Sequence, residues 1–306
     1  MPRYAYLGPA GTFTEAALRT LPDAGRAELV PCQTIAAALE AVRLGTADRA
    51  VVPIESSVDG AVTATVDELA TGGELLICAE VLLPIEFALL ARPGTEPAGI
   101  RTVGGHPQAQ AQCRRWLDAN LPDAQWRPAA SNAMAAQQVA EGDLDAALAG
   151  AFAAGEYGLA VIAGQVHDRA GAVTRFVVAR SPGPLPAPTG ADRTSLAAFL
   201  AEDHPGALME ILTEFAVRGI NLSRIESRPT GDALGQYYFC IDCEGHIDDA
   251  RVGEALMGLR RVCADVRFMG SYPRSDGGKT QVRPGTSDGE FAAAAAWLGR
   301  LRYGRV

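Results

Sequence analysis

Apolar strand-like runs alternate with helix-like segments over residues 1–182, and this alternation constrains the fold more than any other feature. Strands and helices that alternate form layered α/β domains in which the strands are largely parallel. The apolar spacing therefore predicts an α/β domain in this part of the chain. The predicted strands are 4–7, 50–54, 82–91, 101–104, 145–148 and 173–179, and the predicted helices are 12–21, 62–69, 107–119 and 132–141.

The run over residues 173–179 is apolar except for Thr174 and Arg175 near its head. A guanidinium in such a run is costly to bury unless an anionic group meets it. Arg175 either reaches water from an edge strand, pairs with a carboxylate of the protein, or receives the carboxylate of a ligand. The run alone leaves these three interpretations open.

Residues 193–272 follow a different order of elements. The pattern reads strand, helix, strand, strand, helix, strand, which is typical of a ferredoxin-like βαββαβ module. A segment rich in Pro and Gly, 181–190, is the predicted linker between the two parts. The predicted strands are 194–200, 222–228, 234–243 and 265–269, the helices are 206–218 and 249–261, and a mobile segment 274–289 precedes a short terminal helix, 291–301.

The composition is that of a globular protein and argues against two classes of function. The chain has 306 residues, a net charge of −9 and 48% apolar residues. An acidic chain lacks the basic face that general nucleic-acid binding requires, although a local field can still attract an anionic small ligand. No apolar stretch reaches membrane-spanning length, and the N-terminal residues lack the apolar core of a signal peptide.

Six cysteines are scattered along the chain, and two of them, Cys240 and Cys243, have the spacing of metal ligands. They lie in a predicted strand, where residues three apart point to opposite faces. No second ligand pair accompanies them, so free buried thiols are favoured over a zinc site. We therefore expect a reducing, cytoplasmic environment and no metal.

Polar residues in the first part cluster where predicted strands end and helices begin. The segments 8–12, 55–60, 104–106 and 131–132 all have this position. Ligands of open α/β sheets bind beyond the carboxyl ends of the strands, and helix N-termini offer free N–H groups to anions there. These elements, with Thr174 and Arg175, predict a cleft that binds a carboxylate ligand. Each segment taken alone is also compatible with an ordinary cap or turn.

Seven motifs follow one another along the chain: Tyr6-Leu-Gly-Pro-Ala-Gly-Thr-Phe-Thr-Glu15, Val52-Pro-Ile-Glu-Ser-Ser-Val-Asp-Gly60, His106-Pro-Gln-Ala-Gln-Ala-Gln-Cys113, Tyr157-Gly-Leu159, Thr174-Arg-Phe176, Gly206-Ala-Leu208 and Glu226-Ser-Arg-Pro229. In these motifs and their order the chain resembles, over residues 3–273, the monofunctional bacterial prephenate dehydratases with a C-terminal ACT regulatory domain.

The resemblance implies a fold and a domain division. The fold is a two-lobed, periplasmic-binding-protein-like α/β catalytic domain followed by a ferredoxin-like ACT domain. The implied division is a catalytic domain over 1–182, a linker over 183–192, the ACT domain over 193–273 and a partly mobile tail over 274–306.

The resemblance also implies an activity. Members of the family convert prephenate to phenylpyruvate, water and carbon dioxide in phenylalanine synthesis, a carbon–oxygen lyase reaction that needs no metal or organic cofactor. Phenylalanine is the implied feedback inhibitor, and it binds where two ACT domains pair, so a homodimer or homotetramer is expected. No nucleic acid or membrane partner is implied.

By the same resemblance, Thr174 assists the departing hydroxyl, Arg175 binds a substrate carboxylate, and Glu55 and Gln112 orient the substrate. The implied substrate-binding residues are Ser56, Ser57, Thr12, His106, Ser131 and Phe176. The implied phenylalanine site is Gly206, Ala207, Leu208, Asn221, Leu222, Glu226, Ser227, Arg228 and Pro229.

The chain departs from the family pattern at three places where a hydrogen-bonding side chain is usual. These are Ser56 in place of Asn, Gly105 in place of a hydroxyl residue, and Gly171 and Ala172, one of which is commonly Asn. The departures keep two alternatives open, an arogenate dehydratase and a non-catalytic phenylalanine sensor. The two-lobed cleft built from helix N-termini keeps a third alternative open, a solute-binding or ligand-responsive regulator.

Overall fold

A computed structural model describes residues 1–231 and 236–304. Two compact units are present: one holds Met1–Thr65 and Val81–Ala179, and the other holds Val66–Glu80 and the chain from Arg180 onwards. The strands are β1 (Arg3–Leu7), β2 (Glu28–Cys32), β3 (Arg49–Ser56), β4 (Gly60–Ala61), β5 (Leu76–Pro84), β6 (Ala88–Ala91), β7 (Thr102–Gly105), β8 (Gln125–Pro128), β9 (Ala146–Ala149), β10 (Ala160–Ala163), β11 (Val173–Arg180), β12 (Asp192–Phe199), β13 (Leu222–Pro229), β14 (Tyr237–Glu244) and β15 (Asp265–Pro273). The helices are α1 (Phe13–Arg19), α2 (Ile35–Arg43), α3 (Thr63–Thr71), α4 (Pro107–Gln112), α5 (Arg114–Asn120), α6 (Asn132–Glu141), α7 (Ala153–Tyr157), α8 (Ala207–Ala216), α9 (Ala250–Val262) and α10 (Asp288–Arg302).

The first unit is built on two sheets. One has the order β2-β1-β3-β11-β5, with β4 beside β3, and β1 is parallel to both β2 and β3. The other has the order β10-β6-β9-β7-β8, with β7 parallel to β8 and β9. Helices cover the strands, and buried side chains fill both lobes. The predicted two-lobed α/β architecture is confirmed.

Two local predictions in this unit were wrong, and some elements were missed. The run 82–91 is two strands, β5 and β6, because β5 ends at Pro84, whose nitrogen has no hydrogen to donate to a ladder. The helix predicted over 107–119 is broken at the buried Cys113 into α4 and α5. The pattern analysis also missed β2 and α2, although Thr34 caps α2 and the helix has a buried stripe of Ala38, Leu39 and Val42.

The second unit contains the βαββαβ module, and its four strands form an antiparallel sheet in the order β13-β14-β12-β15. One face of the sheet packs on α8 and α9 through an apolar core that includes Ile211, Phe215 and Leu259. The ferredoxin-like prediction is confirmed. Part of the predicted β13–β14 turn, from Asp232, and the first two residues of the predicted strand 234–243 lie outside the described residues.

The other face of this sheet contacts Val66–Glu80 within the same unit. The Arg193 guanidinium pairs with the buried Glu80 carboxylate. At Gly270, φ is +136°, and a Cβ would lie 2.3 Å from the Ile77 carbonyl oxygen, so only glycine fits this close approach. The sheet is therefore covered on both faces, by helices on one and by this inserted segment on the other.

The terminal helix α10 begins at a capping box, in which Ser287 and Glu290 satisfy each other's backbone N–H groups. The predicted terminal helix is therefore present, three residues longer at its start than the apolar run indicated. Within the described part of the chain, no helix has both the length and the apolarity needed to cross a membrane.

Candidate active site

A cavity of about 650 Å³ lies in the first unit, where strands of both sheets end. Its walls come from 7–9 and 11–14 at and after the end of β1, 31–33 at the end of β2, His106 and Gln108 after β7, 130–134 after β8 and Gly150 after β9. Parallel strands present their carboxyl ends at one edge of a sheet, and this is where ligands of α/β proteins bind. The arrangement therefore forms a crevice of the kind that the polar segments predicted.

Three helices begin at this cavity, each with a capping side chain. Thr12 Oγ1 accepts the Glu15 N–H at 3.3 Å at the start of α1. His106 Nδ1 and Ser131 Oγ accept backbone N–H groups at 3.3 and 3.0 Å at the starts of α4 and α6. Helix N-termini carry a partial positive charge. Thus the structure brings Thr12, His106 and Ser131 together in surroundings that favour an anion.

The loop after β1 is held in place by buried contacts. The Glu15 carboxylate accepts the Gly11 N–H at 2.6 Å, and the Tyr157 hydroxyl donates to the Ala10 carbonyl at 2.6 Å. Burial raises the pKa of Tyr157, so its hydroxyl stays a donor at neutral pH. Gly11 has φ +77°, and a Cβ there would lie 3.0 Å from the Tyr157 ring. Gly11, the second glycine of the Gly-Pro-Ala-Gly-Thr run, is therefore required by the backbone conformation and by the nearby Tyr157 ring.

The head of β11 lies beside the end of β3. The Ser57 N–H donates to the Val173 carbonyl, and the Val173 N–H donates to Ser57 Oγ, both at 2.9 Å. The buried Arg175 places Nη1 3.4 Å from Glu55 Oε2. Because β3 is parallel to β1, Thr174 and Arg175 lie at the same edge of the sheet from which the loop after β1 leaves.

The lining of the cavity, taken over the described residues, does not include Glu55, Gln112, Thr174 or Arg175. The structure therefore places the predicted site residues in two groups: the helix starts around the cavity, which follow strands of both sheets, and the β3–β11 pair. Arg175 is not an edge-strand residue reaching water, since β11 lies between β3 and β5.

Gln112 reaches the second group through a residue that the sequence analysis missed. Its Nε2 donates to Asp59 Oδ2 at 3.1 Å. Ser56 Oγ accepts the N–H groups of Val58 and Asp59, each at 3.2 Å. Ser56 thus shapes the turn after β3, and Asp59 joins that turn to α4. Asp59 ends the run Glu-Ser-Ser-Val-Asp. Its position in this run was the only feature of the sequence that could have indicated its contact with Gln112.

Two of the departures from the family pattern have a packing explanation. A Cβ at Gly105 would lie 2.8 Å from the Trp126 ring. A larger residue therefore does not fit unless the indole moves. Gly171 has φ +81°, which favours glycine over Asn.

The predicted substrate-binding residue Phe176 is 2% exposed, so its ring lies inside the lobe.

The predicted phenylalanine residues all lie in the second unit. Gly206, with φ +100°, precedes α8, and the Asn221 side chain donates to Glu244 at 3.0 Å. Ala207, which is buried, is also part of a cavity of about 230 Å³ beside α8. Arg228, near the end of β13, pairs with Asp67 of α3. Leu222 and 226–229 belong to β13, which is an outer strand of its sheet.

Cys240 and Cys243 are buried free thiols on opposite faces of β14, and only Cys243 packs in the core beneath α8 and α9. Burial raises the pKa of each thiol to about 12. Among residues 1–231 and 236–304, no group of three His, Cys, Asp or Glu side chains is arranged to hold a metal ion.

Comparison with known proteins gives consistent matches along the chain. The family model described as "Prephenate dehydratase" matches residues 4–183, and that described as "ACT domain" matches 195–261. The prephenate dehydratase of Mycobacterium tuberculosis H37Rv is 50% identical over 313 residues, covering 100% of this chain and 95% of that protein.

Two solved structures extend the comparison. Prephenate dehydratase from Arthrobacter aurescens, solved in complex with L-Phe, is 51% identical with a TM-score of 0.94, covering 98% of this chain and 99% of the other. A protein named GqqA, described as a novel type of quorum quenching acylase, is 31% identical with a TM-score of 0.78, covering 89% of this chain and 98% of the other.

Proposed function

We propose that this chain, which belongs to the prephenate dehydratase family, converts prephenate to phenylpyruvate, water and carbon dioxide in phenylalanine synthesis. The reaction makes it a carbon–oxygen lyase. The observation that carries the proposal is the placement of Thr174 beside the buried Arg175 at the carboxyl edge of the β3 sheet. A hydroxyl next to a fixed cation is the pair of groups that this reaction uses.

Substrate binding follows from the charges at this edge. Prephenate carries two carboxylates, and the three capped helix starts at the cavity offer positive potential to one of them. Arg175 receives the other. Its 3.4 Å contact with Glu55 is longer than the 2.7–2.9 Å of a strong charge-assisted hydrogen bond. A ligand carboxylate can therefore compete with Glu55 for the guanidinium.

The chemical step needs a proton donor at the leaving hydroxyl and no oxidant. The ring carboxylate leaves as carbon dioxide, its bonding electrons move into the ring, and the hydroxyl leaves the opposite ring carbon with one proton as water. Thr174 donates a hydrogen bond to this hydroxyl as it departs. A threonine hydroxyl is a weak acid, so it assists the departure while the proton is supplied in concert from solvent or a neighbouring group.

Glu55 and Gln112 are positioning residues in this proposal. Glu55 lies next to Arg175, and Gln112 is anchored by Asp59 in the turn that follows Glu55. Both side chains therefore act on the same short segment, which carries Ser56 and Ser57. Rigid placement of the reacting groups is a large part of what an active site contributes to rate.

Regulation belongs to the second unit. Residues 1–182 form the proposed catalytic domain and 193–273 the proposed regulatory domain. Phenylalanine binds at the start of α8 and along β13, where Gly206 and Asn221 lie. Since β13 is an outer strand of its sheet, two copies can pair along it, which supports a homodimer or homotetramer. The free cysteines fit the cytoplasm as its location.

One assay tests the activity and separates the alternatives. The full-length protein is incubated with prephenate or with arogenate, with and without phenylalanine, and phenylpyruvate or phenylalanine formation is followed. Phenylpyruvate from prephenate, suppressed by phenylalanine, is the expected result. Faster turnover of arogenate than of prephenate identifies an arogenate dehydratase. Phenylalanine binding without turnover of either substrate identifies a sensor. Binding of other solutes alone supports a solute-responsive regulator.

A further inference from the structure

Asp67 on α3 is held by two residues of the predicted regulatory sheet. The Arg228 guanidinium donates from Nε to Oδ1 at 2.9 Å and from Nη2 to Oδ2 at 2.7 Å. The Tyr238 hydroxyl donates to Oδ1 at 2.6 Å. Arg228 and Tyr238 are cross-strand partners of β13 and β14, so both donors approach the carboxylate from one face of the sheet.

The helix that carries Asp67 leads directly back to the proposed catalytic residues. Thr65, two residues earlier in α3, is fully buried, and its hydroxyl donates to the Pro53 carbonyl at 2.5 Å. The Val62 N–H donates to the Ile54 carbonyl at 2.9 Å. Pro53 and Ile54 immediately precede Glu55 in β3. Helix α3 therefore starts in the first unit, tied to β3, and ends in the second unit, tied to β13 and β14.

The strand that holds Asp67 also carries the predicted effector residues. Leu222 begins β13, directly after Asn221, and Arg228 lies near the end of the strand. The strand is an outer one, so a ligand or a second chain bound along it changes its position more easily than that of an inner strand. A shift of β13 moves the Arg228 guanidinium, and a bidentate pair transmits such a shift because both its distance and its angle are fixed.

We propose that Asp67 is the positioning residue through which phenylalanine bound at β13 acts on the Glu55 segment. The hydrogen bonds from Arg228 and Tyr238 connect Asp67 to the regulatory sheet. This inference rests on the proposed function. It gives Arg228 a different task from that of a direct phenylalanine ligand: the Arg228 side chain holds Asp67 on α3, and the effector acts on β13, the strand that carries Arg228.

The test compares three variants of the full-length protein. Asp67→Asn keeps the size of the side chain and removes its charge, and Tyr238→Phe removes one hydrogen bond while keeping the ring. Glu74→Gln is the matched control, since Glu74 is an exposed carboxylate on the same segment Val66–Glu80. For each protein, kcat/KM for prephenate is measured without phenylalanine and at saturating phenylalanine, and phenylalanine binding is measured by calorimetry.

In the wild type, phenylalanine lowers kcat/KM by a factor within about 5–150. Asp67→Asn is expected to keep its basal kcat/KM and to bind phenylalanine to saturation, but to lose most of that factor. Tyr238→Phe is expected to lose part of the inhibition factor, and Glu74→Gln is expected to keep all of it. A merely structural role for Asp67 lowers the melting temperature and leaves the factor unchanged.

Each result has one interpretation. Full inhibition of Asp67→Asn by phenylalanine overturns the inference, as does equal loss in Glu74→Gln. If Asp67→Asn does not fold, Tyr238→Phe decides, and an unchanged factor in that variant overturns the inference. Absence of turnover or of inhibition in the wild type refutes the proposed function instead, so the two failures are distinguishable.

Discussion

Glu55 Oε2 lies 3.4 Å from Arg175 Nη1, and the two residues differ in exposure: the Arg175 side chain is 6% exposed and that of Glu55 is 39% exposed. The cation is thus fixed inside the lobe while its protein partner faces outward. A buried charge needs a partner, and the Glu55 carboxylate is one partner of the Arg175 guanidinium. This contact helps to explain how an Arg is tolerated in an otherwise apolar strand.

Replacement of Thr174 by Ala is expected to lower kcat by about 10²–10⁴-fold, the range attributed to a positioned proton donor, with little change in KM. The substrate still meets Arg175 and the helix starts, so binding is retained. Steady-state kinetics with prephenate measure the effect. Thr174→Ser, which keeps the hydroxyl, is the control and should retain most of the activity; unaltered kcat in the Ala variant removes the proposed role of Thr174.

Replacement of Arg175 by Leu is expected to raise KM steeply, because a carboxylate of the substrate loses its cation. The same change leaves Glu55 without this partner, so Glu55→Gln provides the comparison. Glu55→Gln removes the competing charge and should raise KM far less than Arg175→Leu does. Equal KM values for Arg175→Leu and the wild type, in protein shown to be folded by circular dichroism, contradict substrate binding by Arg175.

Restoring the family's usual hydroxyl by Gly105→Ser is expected to destabilise the protein by about 1–3 kcal/mol, the cost typical of overpacking. The reason is the 2.8 Å approach of a Cβ to the Trp126 ring. Urea unfolding measures the change. Gly155→Ser is the control, because a Cβ there meets nothing within 4 Å. Combining Gly105→Ser with Trp126→Leu should recover part of the lost stability; no loss in the single variant shows that the indole moves freely.

Thiol reactivity should divide the six cysteines by burial. Burial raises the pKa of Cys113, Cys240 and Cys243 to about 12 and that of Cys263 to about 11. These four stay protonated at pH 8 and should react with a disulfide reagent only after denaturation. Burial also raises the pKa of Cys32, but Cys32 and Cys78 are partly exposed and should therefore react first. Prephenate should slow the reaction of Cys32 because Cys32 lines the cavity. Rapid reaction of all six in the native protein is the contrary result.

The Asp67 ion pair predicts a specific dependence of stability on pH. The hydrogen bonds from Arg228, and that from Tyr238, lower the pKa of Asp67 in the folded protein. A carboxyl whose folded pKa is lowered stabilises the fold above its unfolded pKa, and this contribution disappears as pH falls through the folded pKa. The stability difference between wild type and Asp67→Asn should therefore be constant near neutral pH and shrink in acid. Denaturant unfolding from pH 7 to pH 3 measures it, and a difference independent of pH contradicts the assignment.

Local pattern was sufficient for much of this protein. Alternating apolar runs indicated the α/β lobes, the βαββαβ order indicated the ferredoxin-like module, and capping residues such as Ser131 marked helix starts to the residue. These features depend on neighbours in the chain, because strand parity, helix periodicity and caps are satisfied within a few residues. The same local information failed where packing broke an element, as at Cys113, and where a short strand had little periodicity, as in β2.

Tertiary structure alone decided which distant residues meet. Glu55 and Arg175, Gln112 and Asp59, and Asp67 and Arg228 are each joined across long stretches of chain, and nothing in their local sequence specifies the partner. The insertion of Val66–Glu80 into the second unit is likewise invisible to periodicity. Such pairings follow from how whole sheets and helices pack, since a side-chain contact forms only when two separately determined backbones bring its atoms within reach.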